Sequence, residues 1–196
     1  MNLEPVSDDL PPTDLADTDL ADTDVTGQTG QTGQTDTNLT AADLTGTDLL
    51  HLRRALELAV EAATRGDGPF GAVLVAADGT VLAEGLNGVR STGDLRAHAE
   101  LGALEVARSA GFASRAAGGT MYASGEPCPM CAAGMVWADL GTVVFAASAG
   151  DIGALLGPPG FDLPCREVVA RSTSRMRVRG PVQGIDALGP FETALG

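Results

Sequence analysis

Cys128 and Cys131 lie three residues apart in the stretch EPCPMC (126–131) of a 196-residue chain that has only three cysteines. Such a pair can be a redox couple, a structural clip or two ligands of a metal, and partners elsewhere decide between these. Of the two histidines, His51 falls in the polar phase of a helical pattern and is expected at the surface. His98 sits at the start of another helical pattern, followed by Ala99 and Glu100. His98, Cys128 and Cys131 therefore form one possible N/S/S donor set. Both cysteines fall at the N-terminal end of a helical pattern, where the backbone dipole favours thiolate, the metal-binding form. Two thiolates and one imidazole suit Zn²⁺, and three protein ligands leave a position open, as in catalytic sites. No fourth ligand stands at a convincing spacing. Cys165 follows a proline in a different segment and is expected to be a buried or free structural cysteine.

Glu100 bears on the choice. A carboxylate beside an open coordination position can take a proton from activated water and hand it to a leaving nitrogen. The plainer alternative is an acid that stabilises a helix N-terminus. A redox pair would leave His98 and Glu100 without a role, and an inactive zinc-binding protein would have no physical use for Glu100.

The elements that must hold these residues follow from periodicity. Residues 49–66 have apolar positions at helical spacing and end on Gly66. FGAVLVA (70–76), the Asp78-Gly79 turn and TVLAEGLN (80–87) predict a hairpin. Residues 88–96 read as a loop, 97–111 as a helix, 120–125 as a strand, 128–140 as a helix with Pro129 in its first turn, and 141–148 as a strand. The Gly/Pro-rich stretch 150–164 reads as a long loop. A helix is expected from Cys165, and a last strand within 175–185. Strands alternating with helices after a hairpin predict an α/β fold, a three-layer α/β/α sandwich around a mixed sheet of about five strands.

Composition divides the chain. Residues 1–48 hold eleven acids, no Arg or Lys, and the near-repeats LADTDLADTDV and TGQTGQTGQTD. Such a segment is expected to be a disordered acidic tail, with the folded domain at 49–196. That domain carries all twelve arginines against fifteen acids. A mildly acidic domain behind a strongly acidic tail is a poor electrostatic match for nucleic acid or an anionic membrane. The run REVVARSTSRMRVR (166–179), with five arginines, is either a phosphate-binding strip or a solvated face. MNLEPVSDDL lacks the basic and apolar regions of a signal peptide and no apolar run reaches transmembrane length, so a reducing, cytoplasmic setting is expected.

H-x-E followed by P-C-x-x-C is a signature of zinc deaminases. Residues 49–150 resemble the cytidine deaminase-like superfamily through GPFGAVLV (68–75), Asn87, AHAE (97–100) and SGEPCPMC (124–131), in that family's order and spacing. The resemblance implies hydrolytic deamination of a nucleobase or nucleoside. It implies one zinc per chain on His98, Cys128 and Cys131, and Glu100 as proton shuttle. Asn87 and Phe70 would contact the substrate, and the backbone N–H groups of Ala99 and Cys128 would line the pocket. It also implies a homodimer acting on a small molecule. PFGAV, PCPMC and Trp137 look like the guanine deaminase branch, where an aromatic at this place packs on a purine. That branch carries G-F-D-D in a later loop. Here the loop reads Gly160-Phe161-Asp162-Leu163, so Asp162 is left as the acidic candidate for substrate recognition. The tRNA adenosine deaminase branch shares AHAE and the P-C-x-x-C helix but calls for a basic surface. Cytosine, cytidine or an s-triazine remain alternative substrates.

Overall fold

The structure, a computed structural model, describes residues 35–37, 39–158 and 160–194. In chain order its elements are β1 (Thr35–Asp36), β2 (Leu39–Thr40), α1 (Gly46–Thr64), β3 (Gly71–Val75), β4 (Val81–Leu86), α2 (Val89–Thr92), α3 (Ala99–Ser109), α4 (Ala113–Ala116), β5 (Thr120–Gly125), α5 (Pro129–Trp137), β6 (Thr142–Ala147), α6 (Ala149–Leu156), α7 (Cys165–Ala170), β7 (Arg177–Arg179), β8 (Val182–Gln183) and α8 (Gly189–Thr193). The main sheet runs β1-β7-β6-β5-β3-β4. β3 is antiparallel to β4 and β5, while β5–β6, β6–β7 and β1–β7 are parallel. This is the mixed sheet expected from the sequence, with five main strands and the two-residue β1 added at one edge.

Each side of the sheet has its own apolar layer, because successive strand residues face opposite ways. Val73 and Val75 pack with Leu52, Ala55 and Leu58 of α1. Ala72 and Leu74 pack with Ala99 and Ala103 of α3 and with Ala132 and Met135 of α5. Both strand faces are buried, which is why these strands read as continuous apolar runs. Two glycines set how close the helices come. A Cβ at Gly71 would collide with the Ala55 carbonyl of α1, and one at Gly85 would collide with the Ala99 carbonyl of α3. The second contact presses the start of α3, and hence His98, against β4.

Three expectations need correction. The boundary of the folded part does not fall at 48. Thr35–Asp36 pairs with β7, Leu39–Thr40 pairs with β8, and Leu39 and Leu44 are buried. Asp36 also pairs with Arg179 at 3.1 Å. Thr45 begins α1 with a capping box, its hydroxyl accepting the Asp48 N–H at 3.1 Å while the Asp48 carboxylate accepts the Thr45 N–H at 3.0 Å. A few well-spaced leucines and one cap outweigh the low average hydrophobicity of this stretch. The rest of the expected tail, residues 1–34, lies outside the described residues. Second, the stretch 150–164 is not all loop, since α6 occupies Ala149–Leu156. Ser148 caps it by accepting the Asp151 N–H at 3.0 Å, and Ile152 is buried. Third, His51 is buried against Tyr122, with ring centroids 5.1 Å apart. It lies one turn before Ala55 and thus on the apolar face of α1. Among the described residues no helix is long and apolar enough to cross a membrane.

Candidate active site

The site forms where the parallel strands β5 and β6 end and the helices that follow them begin. In open α/β sheets this is where the carboxyl ends of strands leave a crevice. β5 delivers Gly125, Glu126 and Pro127, and the chain turns into α5 with Cys128 at its N-cap and Pro129 at its first position. Proline is suited to that place because the first helical N–H has no intrahelical partner. Cys131 follows on the first turn and is fully buried. From the other side α3 brings His98 as its N-cap and Glu100 in its first turn.

The three candidate donors converge. His98 Nδ1 lies 3.6 Å from Cys128 Sγ and 3.5 Å from Cys131 Sγ, and the two sulfurs are 3.6 Å apart. An ion bound tetrahedrally at ~2.3 Å from sulfur and ~2.0–2.1 Å from nitrogen needs about 3.8 Å between sulfurs and about 3.6 Å from sulfur to nitrogen. The triangle matches those spans within a few tenths of an ångström, so the donor set fits zinc without rearrangement. Among the described residues this is the one group of three or more such donors close enough to hold an ion. Cys165 is buried but stands outside it.

The electrostatics favour anionic sulfur at Cys128, while the hydrogen bond between the two sulfurs and burial push the Cys131 thiol up. Hydrogen bonding with Cys131, with His98 alongside, brings the Cys128 thiol down to about 4 against the opposing effect of burial. His98 is held above its ordinary value, chiefly by its hydrogen bond to Cys128. Glu100 is 6 % exposed, and burial pushes its carboxyl above the usual range.

The donors open into a cavity of about 790 Å³. Part of its wall, from residues before 147, carries Phe70, Asn87, His98, Glu100 and Cys128, and the part from residues after 150 carries Ile152, Phe161, Asp162, Leu163 and Arg166. The Asn87 side-chain oxygen accepts the Val89 N–H at 3.2 Å, which orients the amide and leaves its NH₂ as the donor. The loop beyond it is pinned by Asp67, whose carboxylate accepts the N–H groups of Arg90 and Ser91, each at 2.9 Å. Phe70 is backed edge-on by Phe191 of α8, with ring centroids 5.4 Å apart.

The expected residues separate into those the fold brings to the cavity and those it does not. Asn87, Phe70 and Asp162 line it together with His98, Glu100 and Cys128. Ala99 is fully buried at the first position of α3 and packs in the core. Trp137 stands apart: it is 89 % exposed at the last residue of α5 and contributes nothing to the cavity wall. Six residues of helix carry it roughly 9 Å along and about 240° around from Cys131, which turns it away from the donors. The arginine run is dispersed. Arg166 lines the cavity, Arg171 pairs with Glu167 at 2.9 Å, and Arg179 turns inward to Asp36. The sequence reading missed Glu126, whose carboxylate accepts the N–H groups of Ala149 at 3.1 Å and Cys165 at 3.0 Å. Its place two residues before Cys128 was the available signal.

An α/β sheet with a His/Cys/Cys donor triangle at its strand ends and a buried carboxylate beside it defines a fold with a candidate metal site whose donors suit zinc. The comparisons agree. Residues 46–147, just over half the chain, match the family of the cytidine and deoxycytidylate deaminase zinc-binding region. The chain belongs to that family. It is 43% identical over 101 residues to a guanine deaminase of Bacillus subtilis, covering 51% of this chain and 64% of that protein. It is 37% identical over 100 residues to a tRNA-specific adenosine deaminase of the same organism, covering 51% of this chain and 62% of that one. The chain thus spans less than two thirds of either relative's length. A solved guanine deaminase from Nitrosomonas europaea superposes with a TM-score of 0.65 over 77% of this chain and 85% of its own, at 23% identity, and shows the shared fold.

Proposed function

We propose that the protein catalyses zinc-dependent hydrolytic deamination of a nucleobase or nucleoside, with a purine such as guanine or guanosine favoured. The observation that carries this reading is the placement of Glu100, a buried carboxylate beside three donors whose spacing suits zinc. His98, Cys128 and Cys131 would hold the ion, which supplies Lewis acidity that lowers the pKa of bound water to about 7.

The remaining work falls to the chain's own groups. Glu100 takes a proton from the attacking water and delivers it to the departing nitrogen, so ammonia leaves as the ring carbon gains oxygen. Burial suits it to hold that proton away from solvent. The Asn87 NH₂ donates to an acceptor on the ring. Phe70 offers an aromatic face to a planar base, and Phe191 behind it keeps that face still. Similarity to the guanine deaminase supports a purine, and Asp162 on the facing wall is the acid available for its exocyclic groups. Ammonia release by the zinc-loaded protein from guanine, guanosine, adenine, adenosine, cytosine, cytidine and ammeline tests the reading. Turnover of guanine or guanosine supports it. Turnover of adenosine or a pyrimidine alone would move the substrate to another branch, and release from none would refute deamination of these bases.

A further inference from the structure

We propose that Glu126 is a positioning residue that fixes the substrate-facing wall of the cavity relative to the metal donors, and thereby sets which base the site accepts. This rests on the deaminase reading above. The wall with the donors lies within residues 46–147, the part that matches the family, whereas Ile152, Phe161, Asp162, Leu163 and Arg166 lie beyond it. That outer wall consists of α6, the loop after it, and the start of α7. Among the described residues, no backbone hydrogen bond ties Gly160–Leu163 to another segment. The loop is held at its two flanking helices, and both of those meet Glu126.

The geometry is specific. One carboxylate oxygen of Glu126 accepts from Ala149 N, the first residue of α6, and the other accepts from Cys165 N, the first residue of α7. Helix starts carry N–H groups without intrahelical partners. In α6 the Ser148 hydroxyl takes the Asp151 N–H, which leaves the Ala149 N–H to Glu126. In α7 the N-cap is Pro164, which has no side-chain acceptor. An ionised carboxylate, with two oxygens that only accept, meets both needs at once. Glu126 is anchored in turn: its own N–H donates to Ala147 O at 2.8 Å, continuing the β5–β6 ladder, and Cys128 follows two residues later. The Glu126 carboxylate therefore ties the starts of both flanking helices to the strand end that leads into Cys128, beside the apolar packing of Ile152 on Phe70 and Phe191 and of Cys165 and Val169 in the core. Glutamine at this position keeps one acceptor and turns an NH₂ group toward the second N–H.

The test uses the full-length, zinc-loaded protein and its Glu126→Gln and Glu126→Ala variants. Three quantities are read: zinc content, amide hydrogen exchange at Ala149 and Cys165, and steady-state ammonia release across the base panel. The expected result is unchanged zinc content and exchange faster by about tenfold or more at both amides in Glu126→Ala but at only one in Glu126→Gln. KM for the best substrate should rise about tenfold or more, in the order wild type, Gln, Ala, with kcat changing much less and the ranking of bases altered. Faster exchange with unchanged KM and ranking would overturn the role in specificity. Unchanged exchange would overturn the strut itself. Loss of zinc with a fall in kcat at constant KM would assign Glu126 to the metal centre instead. If the wild type releases ammonia from no base, the deaminase reading fails separately, and exchange at the two amides still decides the strut.

Discussion

Glu100→Gln is the substitution that most directly separates a proton shuttle from an ordinary helix-start acid. The two side chains have nearly the same shape, so the first turn of α3 and the position of His98 should survive. Stability should survive as well. Glu100 is 6 % exposed, and burial pushes its carboxyl above the usual range, so ionising it at neutral pH works against the fold. A neutral amide removes that penalty. The loss should fall on chemistry alone. A placed general acid/base contributes roughly 10²–10⁴-fold, which corresponds to about 3–5 kcal/mol of transition-state stabilisation. The assay is ammonia release from the substrate the wild type prefers, with zinc content and thermal unfolding measured on the same preparations. The expected variant holds zinc, unfolds no earlier than wild type, and has a kcat lower by at least a hundredfold. Turnover within a few-fold of wild type would refute the shuttle. Loss of zinc would show instead that the carboxylate supports the donors.

Cys128→Ser should abolish zinc binding, because a hydroxyl is a poor replacement for thiolate, whereas Cys165→Ser should leave zinc content unchanged; metal analysis after dialysis checks both. Zinc loss should also lower the unfolding temperature of Cys128→Ser, since an ion that binds only the folded state stabilises it. Tyr122 donates its hydroxyl to Asp48 at 2.6 Å. Burial opposes the Asp48 carboxylate, yet the hydrogen bonds from Tyr122 and Thr45 outweigh it and hold the carboxyl below its usual value. That stability is present above the unfolded pKa and is lost as pH falls through the folded one. Tyr122→Phe should therefore cost about 1–2 kcal/mol at pH 7, and the gap between variant and wild type should narrow below about pH 4, as followed by urea unfolding. Removing residues 1–45 deletes buried Leu39 and Leu44, the Asp36–Arg179 pair and the Thr45 cap, and should lower stability by about 4–7 kcal/mol. Removing residues 1–34 deletes none of these contacts, so equal loss from both truncations in thermal unfolding would refute this account.

The donors were legible because metal chemistry restricts residue type and spacing at once. Few arrangements of His98, Cys128 and Cys131 other than a shared ion explain all three, and strand 120–125 was read to the residue. The elements that were misread depend on tertiary contacts that composition does not report. Gly150 and Gly153 disfavour a helix in the segment of α6. The helix forms there because Ser148 caps it and because Ile152 packs beside Phe70 and Phe191. Likewise the acidic composition before residue 48 hides Leu39 and Leu44. His51 is different, since the reading that put it in the polar phase was mistaken: its spacing to Ala55, Leu58 and Ala62 sets it on the buried face.

The same division explains why the reaction class is easier to read than the substrate. The donors and Glu100 sit on helix starts pressed against the sheet, where Gly85 admits α3 so closely that any side chain would collide with the Ala99 carbonyl. Their geometry is set by backbone packing, and that packing leaves a sequence signature. The facing wall hangs on a loop of Gly160, Phe161, Asp162 and Leu163 between two helices whose starts share hydrogen bonds to one carboxylate. A change of loop residue or of strut can move that wall without disturbing the donors. Under the proposed function, substrate choice can thus diverge while the donors and Glu100 stay fixed, and Leu163, where the resemblance to guanine deaminases calls for an acid, is a change of that kind.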